Sequence, residues 1–126
     1  MNITISNYSD EPLYRQIMEQ IKENILSGEL TDGELLPSVR GFANELKVSV
    51  LTIRRVYEEL EKEGFVVSQV GLGTFVRAGN LELLQESRRR IVEEKLTEAL
   101  KQASALGIRK AEIQEMLDIL CEEMGI

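Results

Sequence analysis

The chain has 126 residues, with 15 Lys+Arg against 22 Asp+Glu, a formal net charge of -7 at pH 7, no histidine and a single cysteine. That length suits one domain of ordinary size, or a small domain with an extension. The missing histidine removes the commonest general base and metal ligand, and the lone Cys121 rules out an intramolecular disulfide and a Cys-rich zinc site.

In chain order, the opening "MNITISNYSDEP" has no basic n-region or long apolar run, so it does not read as a secretory signal. No segment is apolar enough to span a membrane, and the protein is expected in the cytoplasm, with no membrane partner. "PLYRQIMEQIKENILSGEL" reads as a first helix, with Pro12 suited to its first turn and Gly28 to its C-terminal stop. Leu13, Ile17, Ile21 and Ile25 recur at steps of four along one face. After "TDGELLP", Ser38 is placed to cap a second helix ending near Leu46, with Val39, Phe42, Ala43 and Leu46 as its apolar stripe.

A short turn at Lys47 and Val48 leads to Ser49, the N-cap expected for a third helix. At 100° per residue, Ile53, Val56, Tyr57 and Leu60 share its inner face, while Leu51, Arg55, Glu58 and Lys62 lie opposite. Gly64 ends it, and "FVVSQ" and "TFVR", joined through "VGLG", read as a β-hairpin. Three helices, a tight turn between the second and third, then a hairpin, is the order of a winged helix-turn-helix.

From Leu81 to Leu106 there is no strong breaker, and Val92, Leu96, Ala99, Ala103 and Leu106 alternate steps of four and three, like a coiled-coil seam. Beyond Gly107, a last helix carries Ile113, Met116, Leu117, Leu120, Cys121 and Met124 on one face, and Cys121 is expected there as a buried structural thiol. Two such helices cannot bury both stripes alone, so an antiparallel helical hairpin packed on a second copy is expected, with those seam and face residues as its contact. The fold class is therefore mainly α with a small β-hairpin, divided into residues 1–78 and 79–126.

Catalysis finds no constellation: there is no G-x-S-x-G, S-x-x-K or Walker loop, and the glycine pair in "VGLGTF" is followed by Phe75 and Val76 and not by a third glycine and a helix. No enzyme activity and no cofactor or metal are expected. Charge distribution says more than net charge. Between Leu35 and Tyr57, Arg40, Lys47, Arg54 and Arg55 face only Glu45, a local +3, and from Gly64 to Ala78 there is Arg77 and no acid. A local basic face is what phosphate contact requires. Arg54 and Arg55 precede Glu58 and Glu59 by four residues, but Arg before Glu is the weaker order for an i, i+4 pair. "RRR" at Arg88 to Arg90 lies among Glu86, Glu93 and Glu94 and reads as a neutralised helix surface.

The run from Glu11 to Val76, with "LPSVR", "VS…T.RR.Y.ELE.EG" and "GLGTFV", resembles the DNA-binding domain of the GntR family of bacterial transcriptional regulators. The short C-terminal part is similar to the YtrA subfamily, whose members end in a small helical dimerisation hairpin and often regulate ABC-transporter genes. The resemblance implies a dimeric regulator of double-stranded DNA, a repressor on an inverted-repeat operator. It implies a DNA role for Arg40 of the P-S-x-R motif, for Ser49, Thr52 and Arg54 at the start of the recognition helix, and for Gly71, Gly73 and Thr74 in the wing, whose backbone approaches the minor groove. Arg55 is added to the third-helix residues that enter the major groove, Arg77 as a phosphate contact flanking the wing, and Val50 and Leu51 as candidates for thymine methyls. Two positions depart from the family: Val50 stands where many relatives have arginine or another polar residue, and Gly41 where many have Glu to complete a capping box with Ser38. The C-terminal hairpin is too small to enclose an effector pocket by itself, and the residues name no effector. The alternative that the acidic net charge favours is a winged-helix module that binds protein.

Overall fold

The computed structural model describes residues 1–79 and 81–126, with the backbone alone at Leu81. Its order is α1 (Leu13–Ser27), α2 (Val39–Leu46), α3 (Val50–Lys62), β1 (Val66–Gln69), β2 (Gly73–Val76), α4 (Leu81–Ala105) and α5 (Lys110–Met124). Two compact units result, Met1–Gln85 and Glu86–Ile126, and the division falls inside α4.

Local chemistry accounts for the helix ends. Pro12 is the N-cap of α1 and not its first helical residue, with its carbonyl already accepting from the Arg15 and Gln16 N–H groups. Ser38 and Ser49 cap α2 and α3, each side chain accepting a backbone N–H three residues on, from Gly41 and Thr52 respectively, at 3.1 Å. Lys47 closes α2 in the left-handed conformation, φ 57°, a position glycine usually takes.

In the first unit the core is built from the inner faces of three helices and the base of the hairpin. Ile17, Ile21, Phe42, Ile53, Val56, Leu60, Val66 and Val76 are fully buried. Each such side chain stabilises the fold by about 1.5–3 kcal/mol relative to exposure. The expected stripes are recovered, with Leu13, Val39 and Leu46 half-buried at their edges. Phe42 of α2 stacks on Tyr57 of α3, ring centroids 6.3 Å apart. The Tyr57 hydroxyl donates to the Pro37 carbonyl at 2.7 Å, which ties α3 to the segment before α2. Lys22 of α1 reaches the Glu63 carboxylate at 2.8 Å, lies 3.7 Å from Glu19, and sits over the Phe65 ring.

The hairpin pairs Val66 with Val76, Val67 with Phe75, Ser68 with Thr74 and Gln69 with Gly73. It is braced by a third extended segment, residues 33–36, whose composition is that of a loop. Gly33 and Leu36 donate to the Val76 and Thr74 carbonyls, Val76 donates to Glu34, and Leu35 bridges Phe75.

The N-terminal segment is also ordered against α1. Gln20 exchanges two hydrogen bonds with the backbone of Thr4, and Gln16 does the same with Ser6 while donating to the Glu11 carbonyl as well. Side-chain amides four apart on a helix thus pair with alternate residues of an extended chain. Both spacings are close to 6 Å on these geometries, about four rises of 1.5 Å against two of 3.3 Å.

The second unit contains most of α4, the Gly107 turn (φ 76°) and α5. No side chain of α5 is buried among the described residues. Cys121 is half-buried, against the buried thiol expected, because within the second unit the α5 stripe is covered only in part. Arg89 pairs with Glu93 at 3.0 Å, as the neutralised reading of "RRR" anticipates.

Replacing Tyr57→Phe should lower stability by about 1 kcal/mol in chemical denaturation, by removing one partly buried hydrogen bond. Burial, and then the negative charge of Glu45, push the Tyr57 phenol above its ordinary range. The stability tied to that proton is therefore intact below the unfolded tyrosine's pKa of about 10 and falls as pH rises above it. The Phe variant should lack that alkaline fall.

Candidate nucleic-acid interface

The N-cap and first two turns of α3 carry six of the candidate residues. Ser49, Leu51, Arg54 and Arg55 are exposed and Val50 and Thr52 half-buried. The hydroxyls of Ser49 and Thr52 lie 2.8 Å apart, and Ser49 also accepts from the Thr52 N–H. Much of their hydrogen-bonding capacity is therefore spent on starting the helix. Leu51 is 71% exposed, an apolar side chain on the outer face with no packing partner in the core.

The arginines behave differently from one another. Arg55 lays its guanidinium on the face of Tyr14, 3.7 Å from the ring centroid, which links the start of α3 to the first turn of α1. Stacking uses the flat face of the guanidinium and leaves the in-plane N–H edge for an acceptor. Arg54 projects from the neighbouring position with no such support. Neither pairs with Glu58 or Glu59. No ion pair among the described residues involves Arg40, Lys47, Arg54, Arg55 or Arg77, all of them exposed.

The carboxylates further along α3 are engaged elsewhere. Glu59 lies 3.6 Å from Lys62, Glu61 accepts weakly from the Ser68 N–H at 3.4 Å, and Glu63 holds Lys22. The helix therefore starts with cations free of any ion pair and ends acidic, with Glu59 and Glu63 paired, Glu61 on a backbone N–H, and Glu58 exposed with no ion pair among the described residues. Arg40 stands in the first turn of α2, where the positive end of the helix dipole makes a cation poorly placed unless an anion joins it.

The wing supplies the remaining candidates. Gly71 (φ 78°) occupies a tight turn in which the Leu72 N–H donates to the Gln69 carbonyl at 3.0 Å. Gly73 (φ 118°) is constrained twice, because a Cβ there would also lie 2.9 Å from the Leu35 side chain. Thr74 is half-buried, its hydroxyl 3.3 Å from that of Ser68 across the strands. Arg77 follows β2, and its backbone N–H donates to Phe65. Sequence reasoning missed Tyr14, whose place beside the Leu13 stripe carries no mark of a partner on α3. It also missed the brace from residues 33–36.

No cluster of His, Cys, Asp or Glu among the described residues is arranged to hold a metal ion, and no described helix is long and apolar enough to cross a membrane. An anion is what the unpaired face is chemically suited to receive.

Comparison with known proteins agrees with that chemistry. Residues 13–76 match the model of the family described as "Bacterial regulatory proteins, gntR family". The HTH-type transcriptional regulator YhcF of Bacillus subtilis (strain 168) is 38% identical over 90% of this chain and 93% of its own length. The HTH-type transcriptional repressor YtrA of the same organism is 31% identical over 91% of this chain and 88% of its own. A solved GntR family transcriptional regulator from Listeria monocytogenes superposes with a TM-score of 0.78 at 27% identity, covering 90% of this chain and 97% of that one. These relatives are regulators and not enzymes, and the Listeria structure shares this chain's fold. The chain belongs to the GntR family of bacterial transcriptional regulators, and residues 13–76 are its DNA-binding domain.

Proposed function

We propose that this regulator is a homodimeric, cytoplasmic repressor that binds an inverted-repeat operator. The observation that carries the reading is a local excess of exposed cations in a protein with net charge -7: Arg40, Lys47, Arg54 and Arg55 against Glu45 between Leu35 and Tyr57, and Arg77 with no acid from Gly64 to Ala78, none of them in an ion pair among the described residues. A local basic excess on an acidic protein is suited to phosphate and draws it to the DNA-binding domain. In this reading α3 enters the major groove. Arg54 reads a base edge, Arg55 on its Tyr14 support and Arg40 hold the backbone, and Val50 and Leu51 meet thymine methyls. Ser49 and Thr52 set the start of α3 and add polar contacts. Gly71, Gly73, Thr74 and Arg77 bring the wing to the neighbouring minor groove.

The division of labour we assign gives DNA binding to residues 1–78 and subunit pairing to residues 79–126. Val92 (57% exposed), Leu96, Leu106, Met116, Leu117, Leu120 and Met124 are all open to solvent, with Ala99 exposed and Ala103 and Ile113 half-buried. A soluble chain does not keep so much contiguous apolar surface uncovered, and a second copy covers it at no cost in new sequence. Leu100 and Ile119, outside the seam and face that spacing marks, are exposed in the same unit and join the contact. Two-fold pairing would set half-sites about 34 Å apart or at a multiple of that spacing. Repression follows the named role of YtrA, and a transporter operon is the target class expected of a YtrA-like regulator.

Replacing Arg54→Ala should weaken binding to an operator selected from random DNA by about 1–3 kcal/mol, measured by fluorescence anisotropy, with a smaller loss on scrambled duplex. An equal loss on both would make Arg54 a phosphate contact. Replacing Leu120→Glu together with Met116→Glu should convert a dimer to a monomer in sedimentation and reduce affinity for the full operator far more than for a half-site. A variant that stayed dimeric would place subunit pairing elsewhere.

A further inference from the structure

The tip of the wing is apolar where the fold does not need it to be. Val70 is fully exposed and Leu72 is 66% exposed, on either side of Gly71. The turn requires only its glycines, Gly71 for a positive φ and Gly73 for the same reason and for room beside Leu35. A Cβ built on Gly71 meets nothing within 4 Å, so the space around the tip is open. Turns of this kind ordinarily carry polar residues between their glycines. One exposed leucine needs no explanation, but an apolar pair at the point of a braced hairpin is another matter.

The base of the wing is stiff. Four cross-strand pairs, the Leu35–Phe75 bridge and the bonds from Gly33, Glu34 and Leu36 hold β2 on both edges, and Val66 and Val76 root the hairpin in the core. The apolar pair is thus held out on a rigid arm. From Gly64 to Ala78 no acid repels a phosphate wall, and Arg77 stands at the foot of the arm. Between the strands the turn carries no side chain that hydrogen-bonds, and the nearest one that can read a groove is the exposed Gln69 at the end of β1. What the point of the tip offers a minor groove is hydrocarbon, with one amide beside it.

On these grounds, and resting on the DNA reading above, we propose that Val70 and Leu72 form an apolar wedge. It enters the minor groove beside the recognition helix and selects an A·T step there by excluding the 2-amino group of guanine. That amino group is the one donor on the minor-groove floor. Covering it with leucine and valine would strip its water without supplying an acceptor, whereas an A·T floor presents no donor to strand. Apolar side chains pressed between base steps also unstack them, which favours flexible steps over stiff ones. Specificity at this position would then come from a side chain that makes no hydrogen bond.

The test uses the full chain and an operator that the protein itself selects from random duplexes, with the wing contact located by hydroxyl-radical footprinting. In one duplex the adenines at that contact become 2,6-diaminopurine, which adds the minor-groove amino group and leaves the major-groove edge as it was. In a second the A·T pairs become inosine·cytosine, which changes the major-groove edge and adds no amino group. The wild type should lose roughly tenfold in affinity on the diaminopurine duplex and hold its affinity on the inosine duplex. The double variant Val70→Ser, Leu72→Ser, checked for unchanged thermal unfolding, should bind the unmodified operator roughly tenfold more weakly and no longer distinguish diaminopurine. A wild type indifferent to diaminopurine would overturn the proposal, as would a serine variant that binds and discriminates like the wild type. The latter would leave the apolar tip for a protein surface. Failure of the wild type to select any duplex would strike the DNA reading itself, a result distinct from binding without discrimination.

Discussion

The arrangement on which the rest depends is the way α3 disposes of its own carboxylates. Glu63 is drawn into a part-buried bond with Lys22 of α1, Glu61 turns to the backbone of β1, and Glu59 pairs with Lys62. These contacts pin one end of the recognition helix to α1 and to the wing. Glu58 is the acid they leave unengaged, exposed one turn from Arg54 and Arg55 and joined to neither by an ion pair among the described residues. The helix is thereby held at one end by its own charges while the arginines of its opposite end stay open to an anion. The Lys22–Glu63 bond matters for placement more than for net stability, since a part-buried ion pair repays much of its attraction as desolvation.

Placement continues outward from that helix. The Phe42–Tyr57 stack and the Tyr57–Pro37 bond set α2, and with it Arg40, against α3. The stack of Arg55 on Tyr14 sets α1 against the same end. The wing leaves the core at Val66 and returns at Val76, so its tip is carried by the same buried residues that hold the helices. The candidate residues at the two ends of the domain share one scaffold, and a substitution in the core between them would disturb both.

What could be read from the residues follows the range of the interactions. Ser38, Ser49, Gly28 and Gly64 act within a turn or two of themselves, and the stripes Ile53–Val56–Tyr57–Leu60 and Ile17–Ile21–Ile25 follow from helical period alone. These were legible. The brace on β2 was not, because "DGELLP" has the composition of a turn and its pairing partner lies some forty residues on. The amide pairing of Gln16 and Gln20 with Ser6 and Thr4 was also hidden, since glutamine on a helix signals nothing until an extended chain lies beside it. The unpaired state of Arg54 and Arg55 stood between. Residue order argued for it, but only the positions of Lys22, Lys62 and Ser68 explain where the acids went. In the second unit the apolar stripes were plain from spacing, whereas the half-covered Cys121 depends on how much of the α5 stripe is packed over, which spacing alone does not give.

What remains to be tested is whether this acidic protein meets DNA through the local excess of cations in α2, α3 and the wing. A salt titration of binding to the selected operator tests it directly, with log Kobs followed against log salt by anisotropy. The account predicts a steep linear decline, with a slope of about -0.9 for each phosphate engaged. It also predicts that the slope becomes shallower by about one unit per subunit contact when Arg55 or Arg40 is replaced by alanine. A slope near zero, or one unmoved by those replacements, would contradict it.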